Sequence, residues 1–476
     1  MSGRRIYLAP VSSAALLIIA VTAWLAFQIP KGVLTYPDEL LTAERSREML
    51  LKGRATVQFN FRPSFAKPPL QYWLTTFILP RIANSSTAVR IWPLACGVLS
   101  AIALGCVAFL VAPDRPWLIP LAVAIYVSCP LFSTEAIRAL LDTGLVFFTT
   151  LAIGFAQLAR RNAIWWLAVA IACWLGALQK IPLILLVWAI IIAVRFFDMK
   201  ERANLRNIWL VGSGILSVAL IAIWPVFQNL HYHMPLLRAF AGDDPSALFG
   251  ERHLGARPYF EIFDGLVASG WAGGIFALFA AFAAIIAKHR NVPAREMSIL
   301  AFAVVALALV FNFRSVRYVL PIIPCLSVVL ALSLSDIAQR NNQNRVRTIV
   351  FAGIFVIAGF VQAFIKMHHR GPDASAEQRV ARTLGSMQGK GIETILIEPS
   401  QRKRDLRSNA FYLFHGDMKF PLKRRNIEEL REAGPPRPAV GVCSASDQSA
   451  VKELYRDVDF VVMDGRIVCW RTGAAR

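Results

Sequence analysis

Charge is scarce in this chain, and what there is leans one way. Asp, Glu, Lys and Arg together make up 17% of the 476 residues, against about 25% in an average soluble protein. Acidic residues number 30 against 51 Lys and Arg, a net charge of +21. No zinc finger, helix-turn-helix or RNA-binding aromatic strand accompanies that excess, so nucleic acid is not an expected partner. Repeats of solenoid period are also missing. The C-terminal stretch has neither a Gly-rich phosphate loop nor a nucleophile elbow. Cysteine is sparse: five of the seven (Cys96, Cys106, Cys129, Cys173, Cys325) sit in apolar runs, where they serve as small packing residues. Cys443 and Cys469 lie in the polar tail without metal-ligand spacing. A disulfide and a reduced pair are both open for them.

What is abundant is apolar. Hydrophobic residues reach 56% and mean hydropathy is +0.51. Runs of roughly 20 apolar residues recur, long enough to cross a hydrocarbon core of about 30 Å as helices. The sequence therefore predicts a multi-span α-helical membrane protein with about eleven transmembrane helices. The first is expected near 9–29; it is too long for a signal peptide and no cleavage site follows it. Later ones are expected near 88–111, 118–134, 141–158, 164–179, 181–197, 208–227, 264–287, 297–312, 317–335 and 347–365. Between spans, Arg115, Arg160, Arg161, Arg195, Lys200, Arg202, Arg206, Lys288, Arg290, Arg295, Arg340, Arg345 and Arg347 fall in alternate connections. That alternation follows the positive-inside rule and supplies much of the basic excess. It places the N-terminus in the cytoplasm and the tail outside, in the periplasm if the membrane is a bacterial inner membrane.

Two regions are not spans. The stretch 30–87 is an outer loop of the transmembrane domain 1–366, with a short amphipathic helix over 40–51 and a second interfacial segment over 68–82. The tail, 367–476, alternates strand candidates (393–397, 439–443, 460–463, 467–470) with helical stretches (376–387, 427–432, 448–455). A small soluble α/β domain follows from that alternation.

Candidate chemistry gathers in the outer connections. Directly after the first span stands Tyr36-Pro37-Asp38-Glu39. Two readings of its carboxylates are open: a helix N-cap, where negative charge is favourable, or a general base that takes a proton from an attacking hydroxyl. Lys67-Pro68-Pro69-Leu70 follows, with Tyr72 and Trp73 suited to the headgroup level. Lys67 either snorkels to water or meets a lipid phosphate. Arg138 and Asp142, four apart, are read on one helix face, where they can pair. Ionisable groups beside a span are nonetheless more often functional than decorative. Lys180 in Gln179-Lys180-Ile181-Pro182, and Arg317-Tyr318 after Arg314, complete the set. The outer loop 228–264 carries His231, His233, Glu251 and His253, whose spacings match no zinc motif. Under the predicted topology these groups all face one side of the membrane, as a site for an anionic lipid substrate would require.

Those residues also carry a resemblance. Asp38-Glu39, Ala43-Glu44, Ser46-Arg47-Glu48-Met49-Leu50, Lys67-Pro68-Pro69-Leu70, Tyr72-Trp73 and Ala88-Val89-Arg90 resemble the dolichyl- and polyprenyl-phosphate sugar transferases. That family includes the protein O-mannosyltransferases and the ArnT-like aminoarabinose lipid A transferases. Arg138 with Asp142, the turn at Lys180, and Arg317-Tyr318-Val319-Leu320-Pro321 then follow in the expected order, so the likeness covers about residues 30 to 330. It implies a GT-C fold, inverting glycosyl transfer and a polyprenyl-phosphate-sugar donor. The acceptor it implies is a lipid or glycan, with lipid A, another glycolipid, a polysaccharide and a protein hydroxyl all open. By the same resemblance Asp38 is catalytic, Lys67 binds the donor phosphate with Arg138 or Arg317, and Asp142 shares the cavity and is counted with Asp38 as a catalytic candidate. Glu39, Tyr72, Lys180, His253 and Tyr318 are candidates for substrate contact.

Two positions depart from the lipid A type: Ala66 stands where Glu usually precedes Lys-Pro-Pro, and Leu41 where Arg is common. Both changes remove polar groups from the implied site. No cofactor is expected, and a divalent metal is not expected to be essential. Two rival classes remain, a lipid or sugar transporter and an inactive relative acting as a binding subunit. A transporter should show repeated halves and broken helices at the midplane, and no repeat is found.

Overall fold

The computed structural model describes residues 2–180, 183–197, 207–233, 271–286, 291–310, 316–340, 342–368, 374–398, 408–464 and 466–473. The chain forms two compact units: one of residues 1–30, 65–71 and 90–369, the other of 31–64, 72–89 and 370–476. The sequence division left the whole first loop with the spans; here most of that loop groups with the tail.

The first unit is helical. Among the described residues, five helices are long and apolar enough to cross a membrane: Tyr7–Gln28, Ser85–Val111, Ile208–Tyr232, Arg317–Ala338 and Asn342–Met367. A sixth is the pair Leu118–Val127 and Pro130–Ala136, bent by 68°, where Pro130 opens the second piece after a Cys129 in extended conformation. Shorter apolar helices occupy Asp142–Leu158, Trp165–Gln179, Val187–Phe196 and Gly274–Ile286. The chain is an integral membrane protein. Its shorter helices coincide with runs expected as full spans, and by themselves fall below the length that crosses a bilayer.

Arg195, expected in an inner connection, is instead buried. Arg195 is 3% and Glu296 2% exposed. Arg195 donates to Glu296 at 3.2 Å and to the Ala156 carbonyl at 2.7 Å, and Arg160 pairs with the same carboxylate. Three helical segments are thereby tied at one charge cluster. Removing one partner of such a cluster leaves an uncompensated buried charge, at a cost of about 3–5 kcal/mol.

The second unit is α/β. Strands β1 (Gln58–Phe59) and β2 (Arg62–Pro63) form a small antiparallel hairpin. A five-stranded sheet has the order β4-β3-β5-β7-β6. Its members are β3 (Glu393–Ile397), β4 (Leu422–Arg425), β5 (Ala439–Ser444), β6 (Val458–Asp464) and β7 (Ile467–Thr472). β4, β3 and β5 run parallel, whereas β5, β7 and β6 are antiparallel. Helix Ser375–Met387 crosses the short helix Asn409–His415 closely. A Cβ on Gly385 would fall 1.8 Å from the Gly416 carbonyl oxygen, so only glycine lets the backbones meet there.

The sheet register settles the cysteine pair. Val442 lies opposite Cys469, and Cys443 opposite Val468. Directly opposed residues share a face and neighbours along a strand alternate. Cys443 and Cys469 therefore lie on opposite faces of the sheet, both buried as free thiols, and are not placed to form a disulfide.

Candidate active site

In the helical unit the decisive residue is Asp142, 4% exposed, at the first position of helix 142–158. Negative charge there is favoured by the helix dipole. Its partner is not Arg138 but Lys180, whose Nζ lies 2.5 Å from Oδ1. The same ammonium sits over the Tyr318 ring, 4.6 Å from its centroid. Arg138 precedes the helix, in the link after Pro130–Ala136, and pairs with Glu135 at 3.0 Å. The expectation that Arg138 and Asp142 share one helix face is thus corrected: the link breaks the i, i+4 geometry.

Beside this pair is a buried amide clasp. Gln179 donates to Gln71 at 2.7 Å and to the Leu141 carbonyl at 3.1 Å, and Trp92 donates to its oxygen at 3.4 Å. The clasp fixes the residue before Lys180 against the residue before Asp142, which holds the ion pair from both sides. Arg317 and Tyr318 lie on the short 3₁₀ turn Val316–Ile322. Lys67 is exposed, in the turn before helix Leu70–Ile78. Nearby, Phe65 packs on Tyr232 with ring centroids 5.1 Å apart. Arg314, Ile181, Glu251 and His253 lie outside the described residues, so the expectations on them have no structural counterpart.

In the second unit Asp38 and Glu39 stand in the first turn of helix Pro37–Lys52. The N-cap is Tyr36, which makes no side-chain capping bond, and Pro37 opens the helix. Asp38 is therefore not the cap. It is half-buried, and its carbonyl accepts the Thr42 hydroxyl at 3.0 Å. Tyr72 is fully buried, and its hydroxyl accepts a hydrogen bond from Arg45 at 3.0 Å.

Helix 37–52 is also not a surface helix. Every residue from Glu39 to Met49 except Leu41 is buried, including Glu44 and Glu48 at 0% exposure. Glu44 receives Arg47 in a two-pronged pair, 2.8 Å at each oxygen. Arg47 also donates to the Met418 carbonyl at 2.7 Å and to Asp417 at 3.0 Å. Burial pulls the Arg47 guanidinium down, but Glu44, Asp417 and Glu48 more than offset this and hold it above its ordinary range. Glu48 accepts the backbone N–H groups of Asn60 and Phe61 at 2.8 and 2.7 Å. Both of those residues have left-handed backbone angles (φ 53° and 61°). Burial first, then the neighbouring Glu44, pushes Glu48 up to about 8, against those two bonds. Asn60 then exchanges two hydrogen bonds with Leu422 of β4 (2.9 and 2.8 Å). Composition and periodicity pass over these buried groups. Their one signal is the run Glu44-Arg45-Ser46-Arg47-Glu48, too charged to be core unless internally paired.

Among the described residues no three His, Cys, Asp or Glu side chains group as a metal site requires.

No family model matches the chain. Its fold does match: ArnT from Cupriavidus metallidurans superposes with a TM-score of 0.75 over 98% of both chains, at 16% identity. Sequence likeness points the same way. An undecaprenyl phosphate-alpha-4-amino-4-deoxy-L-arabinose arabinosyl transferase from Yersinia enterocolitica is 26% identical over 373 residues. The chain has the fold of ArnT, the GT-C fold. A second protein of that name, from Pseudomonas fluorescens, is 28% identical over 250 residues, 48% of this chain. The match to the Yersinia protein takes in 74% of this chain. The matched stretches span 44% and 64% of those two proteins' own lengths. The fold likeness extends to the archaeal oligosaccharyltransferase AglB from Archaeoglobus fulgidus, with a TM-score of 0.62 over 86% of this chain and 64% of AglB, at 11% identity.

Proposed function

We propose that the chain is an inverting glycosyltransferase. It moves a sugar from a polyprenyl-phosphate donor to a lipid or glycan acceptor at the outer face of a bacterial inner membrane. The observation that carries this is the chain-long fold correspondence with ArnT, one of whose structures is bound to undecaprenyl phosphate, joined to the two arabinosyl transferase relatives.

In the proposed reaction an acceptor hydroxyl attacks the anomeric carbon from the face opposite the phosphate. Asp38 takes the hydroxyl proton, the bond from the sugar to the phosphate oxygen breaks, and the lipid phosphate leaves with the electron pair. Lys67 and Arg317 are proposed to meet its charge through charge-assisted hydrogen bonds. Asp142 is proposed as a positioning residue: its ion pair holds the Lys180 ammonium over Tyr318, where a donor phosphate is the expected guest. No step requires a metal.

The test is transfer of radiolabelled sugar from a polyprenyl-phosphate donor by the purified protein. Asp38→Asn should leave folding and insertion near normal and reduce transfer by about 10²-fold or more. Near-full activity in that variant would remove Asp38 from the mechanism.

A further inference from the structure

The second unit contains a cavity of about 460 Å³ that the transfer chemistry does not use. Ligand sites commonly measure about 300–1,000 Å³, so this one has room for a phosphorylated monosaccharide. Its polar wall includes Arg47, Arg382, His415 and Asp417, with Asn84, Ser85, Ser86 and Gln378 beside them; Leu79 and Phe414 are its apolar members.

Three features of that wall select for a compact anion. The first is an unsatisfied cation. Arg382 is exposed on helix 375–387 and has no acidic partner among the described residues. Arg47 is anchored to Glu44 through Nε and Nη2, which leaves Nη1 on Asp417. The Asp417 side chain is 80% exposed, and an ion pair so open to water is worth little. A better anion can take that guanidinium arm at small cost.

The second feature is His415. Its Nε2 donates to the Leu34 carbonyl at 3.0 Å, and its Nδ1 accepts from Gln378 at 3.2 Å. Both ring nitrogens are thus satisfied in the neutral form. Burial first, and the Arg382 charge, hold the ring's pKa below its ordinary value. The opposing influence is the Leu34 bond; Gln378, Phe411 and Phe414 around the ring carry no charge. The ring therefore stands as a neutral wall next to an unbalanced positive charge.

The third feature is the start of helix 85–111. Asn84 accepts the Thr87 N–H at 3.1 Å, while Ser85 and Ser86, in the first turn of the helix, line the cavity. Amides at the start of a long helix favour negative charge. The close crossing at Gly385 and Gly416 sets Gln378 and Arg382 beside His415, so the wall is built by the fold.

We propose that this cavity binds a phosphate monoester, with Arg382 and the Arg47 Nη1 as its cations and the 85–86 turn as its hydrogen-bond donor. The proposal is independent of the transfer reading, since none of these residues has a role in that chemistry.

Calorimetric titration of the full chain in detergent tests it, with glucose 1-phosphate and dihexanoyl phosphatidate as probes. Glucose and dihexanoyl phosphatidylcholine are the controls. Saturable binding of glucose 1-phosphate identifies a soluble or saccharide-borne phosphate as the guest. Binding of the phosphatidate alone identifies a lipid headgroup. In either case Arg382→Ala should weaken binding by about tenfold or more, as expected for a hydrogen bond to a charged group. Arg382→Lys should retain most of it, and the apparent pKa of His415, read by NMR, should rise on binding. Because Arg382 is exposed, both variants should melt as the parent does. No saturable binding of either phosphate, or equal binding by Arg382→Ala, would overturn the proposal.

Discussion

Replacing Gly144 by alanine tests how the Asp142–Lys180 pair is held. A methyl on Gly144 would fall 2.4 Å from Gln179 Cδ and 2.5 Å from its Nε2. Gln179 is fully buried, so its side chain can escape only by leaving the bonds to Gln71 and the Leu141 carbonyl. Interhelical hydrogen bonds in membrane proteins average about 0.6 kcal/mol, and overpacking a close-packed core costs about 1–3 kcal/mol. The sum is about 2–4 kcal/mol. Thermal and denaturant unfolding of the purified protein in detergent should show that loss. Gly154→Ala, on the same helix, is the control: its added methyl meets only a Val107 methyl at 3.3 Å and should cost less than about 1 kcal/mol. The double variant Gly144→Ala/Gln179→Ala should recover most of the overpacking term, so the two changes are non-additive. A neutral Gly144→Ala, or strictly additive effects, would refute the clasp.

Lys180→Met should destabilise by about 3–5 kcal/mol, because it strands the buried Asp142 carboxylate, and Lys180→Met/Asp142→Asn should be less harmful than Lys180→Met alone in the same melts. Glu48, at about 8 when folded and 4.5 when unfolded, favours folding in its protonated form. Its contribution is fully present below about pH 4.5 and is lost as pH rises to about 8; the stability of the parent should therefore decline across that window relative to Glu48→Gln, and a constant difference between the two would contradict the placement. A reporter active only in the periplasm, fused after Arg476, should be active; cytoplasmic activity there would reverse the predicted orientation.

The helical architecture was largely legible because its signal is local. An apolar run reports burial in lipid whatever its neighbours do, and each predicted span coincides with an apolar helix, though several are short. The tail was legible where strands alternate or run fully apolar, as at 393–397 and 467–470, the latter strand running on to Thr472. β4 was missed because Leu422-Lys423-Arg424-Arg425 has one buried residue and three exposed basic ones, and its partner is supplied by β3. Helix 409–415 was missed because Asn409-Ala410-Phe411-Tyr412-Leu413-Phe414-His415 is too short to show a period and is apolar on every side.

The site was legible as residue types and illegible as partners, and the physical reason is common to every case. Spacing along a helix states which side chains can meet only if the helix is continuous. Between Arg138 and Asp142 it is not, so Asp142 takes a cation 38 residues away. Charge density likewise suggested a surface helix over 40–51, since solvation is the usual way to stabilise five polar residues in a row. Here Glu44 and Arg47 neutralise each other, Arg45 bonds Tyr72 and Glu48 caps a left-handed turn. Only the Glu44–Arg47 pair follows from helical spacing; Tyr72, Asn60 and Phe61 come from other stretches of chain and are not predictable from the helix itself. A buried carboxylate in such a network is costly unless all its bonds are made together. The helix that follows Asp38 is therefore held in place by the folded second unit, and a variant that breaks the network should disturb Asp38 without touching it.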